Sequence, residues 1–241
     1  MADDTSLSPL LSDSFLTLAD LLGALPEERW ETPSLCAGWR VREVVAHLTM
    51  AARYSPAELR ACDSDFSRLS NLIAGRDAAL PTAELVANLR SDVMRRWIPP
   101  GGGHLGALTH VVIHGLDVTV PLGAPRSASD EAAIAVLDGL AAGGGSRQYG
   151  VDTAGLALAA TDVGWTFGAG APLVGPAGEL VLVLRAARCR TFVSRPSRRL
   201  GEGDSAHDTG GSVRSPHTPS PPKVSQSLIN GCGSLSVVTE C

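Results

Sequence analysis

The stretch LGALTHVVIHGLDVTV, residues 105–120, limits what this chain can fold into more than any other. It reads as one helix carrying His110, His114 and Asp117. At 100° per residue, positions i, i+4 and i+7 fall within about 60° of one another, so the three side chains share a face. Leu108, Val111, Val112, Ile113, Leu116 and Val118 cover the other faces and would bury the helix in a protein core. Two imidazoles one turn apart can hold a single divalent ion, and helix bundles build metal sites from such inward-facing ligands. A third ligand must come from another helix, and His47 is the candidate.

The rest of the chain supplies that other helix. Ser8 and Pro9 suit a helix start, and Leu11, Phe15, Leu18, Leu22 and Leu25 alternate by fours and threes before Pro26. A turn-rich segment, WETPSLCAGW at 30–39, carries Pro33, Gly38 and two tryptophans suited to packing. A second helix starts near Trp39 and continues as RVREVVAHLTMAARY, with His47 at the edge of the stripe formed by Val41, Val44, Val45 and Leu48. Residues 56–80 keep helical spacing at Leu59, Cys62, Phe66, Leu69 and Ile73 but are interrupted at Asp63, Ser64 and Asp65. One helix is expected from Thr82 as its cap to Trp97, with Leu85, Leu89 and Val93 on its stripe and Pro99-Pro100 as its stop. The run Gly101 to His104 reads as a flexible connector, with His104 at the surface, and Pro121 closes the helix that follows.

Ser127 with Asp130 resembles a capping box for a further helix to about Ala142. Beyond Gly143-Gly144-Gly145 the period changes. Two short strands are expected around a turn at 161–164, and Pro176 opens a last amphipathic helix. This gives a mainly α fold: a bundle over 8–142, a small α+β element over 150–190 docked on it, and a disordered tail over 191–241. The tail is rich in Gly, Ser, Pro and Thr and includes His207 and His217.

Composition excludes several function classes. A formal net charge of -5 offers no electrostatic basis for binding nucleic acid or an anionic membrane. No apolar run reaches the ~20 residues of a membrane span, and the acidic N-terminus is not a secretion signal, so the expected location is cytoplasmic. The five cysteines, Cys36, Cys62, Cys189, Cys232 and Cys241, show no CxxC spacing and read as reduced thiols.

The run W-x-T-P-S-L-C-A-G-W-x-V-R-E-V-V-A-H-L, from Trp30 to Leu48, resembles the N-terminal signature of the mycothiol-dependent maleylpyruvate isomerase family. That family belongs to the DinB-like metal-binding four-helix bundles. The likeness continues over His110 to Asp117, where family members show Glu or His, three residues, His, two residues and Asp. It extends to T-D-V-G-W at 161–165 and G-P-A-G-E-L at 175–180. The resemblance implies His47, His110 and His114 as metal ligands and Asp117 as the residue that orients an imidazole. It implies a divalent ion, zinc for preference, although three imidazoles also suit Ni²⁺, Fe²⁺ or Cu²⁺.

The implied partners are a small-molecule thiol such as mycothiol and an electrophilic substrate. In the isomerase reaction the thiol adds to an activated cis double bond, the bond rotates, and the thiol leaves; in relatives the thiol is transferred. One departure is local: Gly115-Leu116 stand where relatives often carry Arg-Trp. Two other classes stay open on the sequence, a non-catalytic metal- or ligand-binding bundle and a hydrolase with Asp117 as general base.

Overall fold

A computed structural model of the chain describes residues 4–99, 102–143 and 153–186. The tail from 191 on, with His207, His217, Cys232 and Cys241, lies outside the described residues, as do Arg188 and Cys189. The expected mainly helical bundle is present, followed by a small sheet and a last helix.

Four segments form the ring of the bundle. Helix α1 (Ser8–Gly23) packs against both α5 (Thr82–Leu89) and α7 (Gly103–Thr119), and α2 (Val41–Thr49) packs against the same two from the opposite side. The stripe Leu11, Phe15, Leu18 and Leu22 is buried as its spacing requires, and Leu25, just past the helix end, is partly buried against the same core. Ser8 does not cap α1. A 3-10 turn over Asp4–Leu7 runs straight into the helix, so Ser8 is already its first residue.

Helix α2 is shorter than its pattern suggested, and a 3-10 turn over Met50–Ala52 replaces its last turn. There the Thr49 hydroxyl donates to the Ala46 carbonyl at 3.2 Å, a side-chain bond that competes with regular helix geometry. Outside the ring, α4 (Phe66–Asp77) packs on α2, and α3 (Pro56–Ala61) packs on α4. The expected interruption falls between them: Asp63 and Ser64 adopt left-handed φ values of 57° and 61°. Asp65 then caps α4 by accepting the Arg68 N–H at 3.0 Å.

The single helix expected over 82–97 is two. After α5 the chain breaks at Arg90–Ser91 and restarts as α6 (Asp92–Arg96), capped by the Ser91 hydroxyl, which accepts the Met94 N–H. The break rephases the stripe. Met94 turns inward at 1% exposure, and Val93, expected inside, is 60% exposed. The connector reading of Gly101 to His104 also needs correction, because Gly103 and His104 already belong to the first turn of α7.

Helix α8 (Asp130–Ala141) packs on α7 and α1. Its cap is Ser129, whose hydroxyl accepts the Ala132 N–H at 3.2 Å, and not the expected Ser127. Ser127 is instead pressed against α7: a Cβ built on Gly115 would lie 2.8 Å from its Oγ. Leu116 in turn packs on α9 (Ala177–Ala186), where a Cβ on Gly178 would lie 3.1 Å from its Cδ2. The Gly-Leu pair that departs from the family pattern is thus used to seat the 127 loop and α9.

The sheet has three strands where two were expected: β1 (Leu156–Ala160), β2 (Thr166–Gly168) and β3 (Ala171–Gly175), in the order β2-β1-β3. Strand β1 is antiparallel to β2 and parallel to β3, with Leu158 opposite Phe167 and Leu173. Crossing from one edge to the other requires Gly170, at φ 135°, where any Cβ would overlap the Gly155 carbonyl. The Trp165 indole N–H donates to Asp138 at 2.7 Å and ties the sheet to α8. Leu158, Trp165, Leu180, Val181 and Leu184 join the same continuous core as α1, α2, α5 and α7.

Candidate metal centre

The ring order of the bundle makes α2 and α7 neighbours, which brings together residues far apart in sequence. His47 is placed deeper than its stripe suggested, at 3% exposure, in a helix whose Val44, Ala46 and Leu48 are also buried. It meets His110 and His114, one turn apart on α7. The His47 and His110 Nε2 atoms are 3.1 Å apart, and the three ring centroids are separated by 4.7, 4.8 and 5.1 Å. One nitrogen from each imidazole lies within 4.8 Å of the other two. Tetrahedral zinc with Zn–N near 2.0–2.1 Å requires donors about 3.3 Å apart, a separation the His47–His110 pair already approaches.

Each buried imidazole is held by a second residue. Ser70 on α4 lies with its Oγ 2.8 Å from His47 Nδ1, which leaves Nε2 for the centre. Asp117 Oδ2 is 2.9 Å from His114 Nδ1 and orients that ring in the same way. The carboxylate is 0% exposed and fully engaged. Its Oδ1 accepts from Arg185 on α9, and its Oδ2 also accepts from the Cys36 thiol at 3.2 Å. Asp117 thus faces an imidazole and pairs with an arginine at once.

Burial drives the chemistry of the site. Desolvation, reinforced by the neighbouring imidazoles, holds His47 well below the ordinary histidine range. His110 is pushed down to about 3, chiefly by burial. Both rings are therefore neutral at neutral pH, the form that binds a cation. Asp117 moves the other way for a carboxylate so deeply buried: burial disfavours its charge, but His114 and Arg185 outweigh that and keep it ionised. The indoles of Trp39 and Trp97 flank the cluster, with ring centroids 5.3 Å from His47 and 6.5 Å from His110.

All four site residues singled out in the sequence therefore meet in one place. Three contributors were missed. Ser70 and Arg185 carry no local signal, being 23 and 68 residues from the groups they touch. Cys36 lies within the Trp30 to Leu48 signature, where it reads only as a reduced thiol.

A histidine cluster between two helices of a bundle, each buried ring held by a further polar residue, is a donor set that could hold a metal ion. Residues 11–97 match the family described as mycothiol maleylpyruvate isomerase N-terminal domain. The match runs from α1 to the end of α6 and includes Cys36, His47 and Ser70; His110, His114, Asp117 and Arg185 lie beyond it. No curated protein and no solved structure matches the chain.

Proposed function

We propose that this chain is a zinc-dependent cytoplasmic enzyme that uses a low-molecular-weight thiol such as mycothiol. Its reaction is of the maleylpyruvate isomerase or thiol S-transferase type. The observation that supports the reading best is the convergence of His47, His110 and His114, with the His47 and His110 rings neutral and their Nε2 atoms 3.1 Å apart, in a bundle whose residues 11–97 match this family's N-terminal domain. Bound there, the ion would supply a Lewis acid that favours the thiolate of a thiol cofactor over its thiol at neutral pH.

The chain's own residues do the rest. Ser70 and Asp117 present the two buried rings through Nε2, and Arg185 keeps Asp117 charged and in place. A triad of neutral ligands leaves the positive charge at the centre uncompensated, which favours an anionic sulfur ligand and an electron-poor electrophile as partners. The buried surroundings of the cluster restrict water as a competing nucleophile. The same geometry argues against a hydrolase, because both oxygens of Asp117 are committed and neither can serve as a general base.

Elemental analysis of the purified protein beside His47→Ala and His114→Ala tests the centre. Near-stoichiometric zinc in the wild type, lost in both variants, is the expected result, followed by thiol-dependent consumption of maleylpyruvate or a model electrophile. No zinc in the wild type and no uptake on adding Zn²⁺ would overturn the reading. Zinc uptake without any thiol-dependent turnover would establish the alternative, a non-catalytic metal- or ligand-binding bundle.

A further inference from the structure

The proposed centre uses only one edge of His114. On the other edge, Nδ1 faces Asp117 Oδ2 at 2.9 Å and Cys36 Sγ at 3.9 Å, and Sγ lies 3.2 Å from the same Oδ2. Cys36, His114 and Asp117 are all buried, and one donor atom from each lies within 4.8 Å of the others. We propose that these three side chains form a second seat for a borderline or soft divalent cation such as Zn²⁺, Co²⁺ or Cd²⁺, which shares His114 with the histidine triad.

Bond lengths near 2.3 Å for sulfur and 2.0–2.2 Å for nitrogen and oxygen correspond, around a tetrahedral ion, to donors about 3.3–3.6 Å apart. The three separations bracket that range, so shifts of a few tenths of an ångström would close the seat. Charge favours it as well. A thiolate and a carboxylate neutralise a divalent ion, whereas three imidazoles neutralise none of its charge. Arg185 occupies Oδ1 of Asp117, and Oδ2, which faces His114 and Cys36, becomes the coordinating oxygen once the protons between them have left.

Loading the seat releases the Cys36 thiol proton to solvent and forms Sγ–metal, Oδ2–metal and Nδ1–metal bonds. His114 must then carry its remaining proton on Nε2, which withdraws that nitrogen from the triad. Occupancy of the two seats is therefore mutually exclusive, and the tautomer of His114 decides between them. A soft cation in the second seat disables the first without touching His47 or His110.

The test is titration of the metal-free full chain with Co²⁺, reading the thiolate-to-cobalt charge-transfer absorption in the near ultraviolet. The variants are Cys36→Ser and the double variant His47→Ala with His110→Ala, which removes the triad and leaves the seat complete. The double variant should bind Co²⁺ stoichiometrically with the sulfur band, and adding Cys36→Ser to it should abolish the band. Absence of a sulfur band from the folded double variant at saturating Co²⁺ overturns the proposal, as does a band that survives Cys36→Ser. Circular dichroism of each variant confirms that it is folded. Because the double variant lacks the triad, these outcomes are independent of whether the triad itself holds zinc.

Discussion

At the scale of single residues, the proposed centre predicts that its metal affinity depends on side chains outside the triad. Asp117 fixes His114, and Asp117→Asn removes the charge that holds the ring and pairs with Arg185. The expected loss is about 10–100-fold in zinc affinity, read by competition with a chromophoric chelator. Ser70→Ala should act in the same direction through His47 but more weakly, since a neutral hydroxyl is lost in place of a carboxylate. Equal affinity of both variants and the wild type would show that the rings are oriented by backbone packing alone. The four principal site residues were legible because helical periodicity and the family signature mark them. Ser70, Cys36 and Arg185 were not, since their roles exist only as distances across the fold.

At the scale of elements, local rules decided most outcomes, and the misreadings have local causes. The 82–97 stretch keeps a four-residue repeat through Val93, yet Ser91 caps a fresh helix and turns Met94 inward. A Ser followed by an acidic residue is a cap signal, and here it outweighed a periodic apolar pattern. Ser91→Ala should destabilise the protein by about 1 kcal/mol in chemical denaturation. Gly170→Ala should cost more, because a positive φ and the Gly155 carbonyl both exclude a side chain. Its expected signature is early proteolytic cleavage within 156–175 while the helical far-ultraviolet signal of the bundle persists. Cleavage and melting identical to the wild type would mean that the crossing tolerates a Cβ.

At the scale of the whole molecule, two ion-pair clusters join segments that the bundle alone would leave loosely connected. Asp77, 3% exposed in its side chain, ends α4 and pairs with Arg53, at 2.7 Å, and with Arg76. Burial disfavours its charge, but the two guanidinium groups outweigh that and lower its pKa below the ordinary carboxylate range. A depressed carboxyl pKa stabilises the fold above the unfolded value, near 4, and that contribution is lost as pH falls through the folded value. Asp77→Asn should therefore be less stable than the wild type at neutral pH, by about 1–3 kcal/mol, and the gap should close in acid. A gap that does not change with pH would remove Asp77 from the account. The second cluster is Arg185 with Asp117, through which α9 reaches the centre. Arg185→Met should weaken zinc binding and lower thermal stability together, whereas a residue that served only as a surface cation would change neither.

The sequence alone determined most of the elements and the residues of the candidate site. Apolar period, turn residues and caps are local, and they placed α1, α2, α7, α8, α9 and the first two strands, with His47, His110, His114 and Asp117 on recognisable faces. No helix among the described residues is long and apolar enough to cross a membrane, in agreement with the composition. Tertiary structure alone decided which helices are neighbours, and hence that α2 and α7 bring three imidazoles together, with His47 and His110 3.1 Å apart. It also decided the parallel third strand, the seating of Gly115-Leu116 and the convergence of Cys36, Ser70 and Arg185 on the histidines. Those features depend on contacts between residues tens of positions apart, and packing geometry, unlike periodicity, leaves no repeat in the chain.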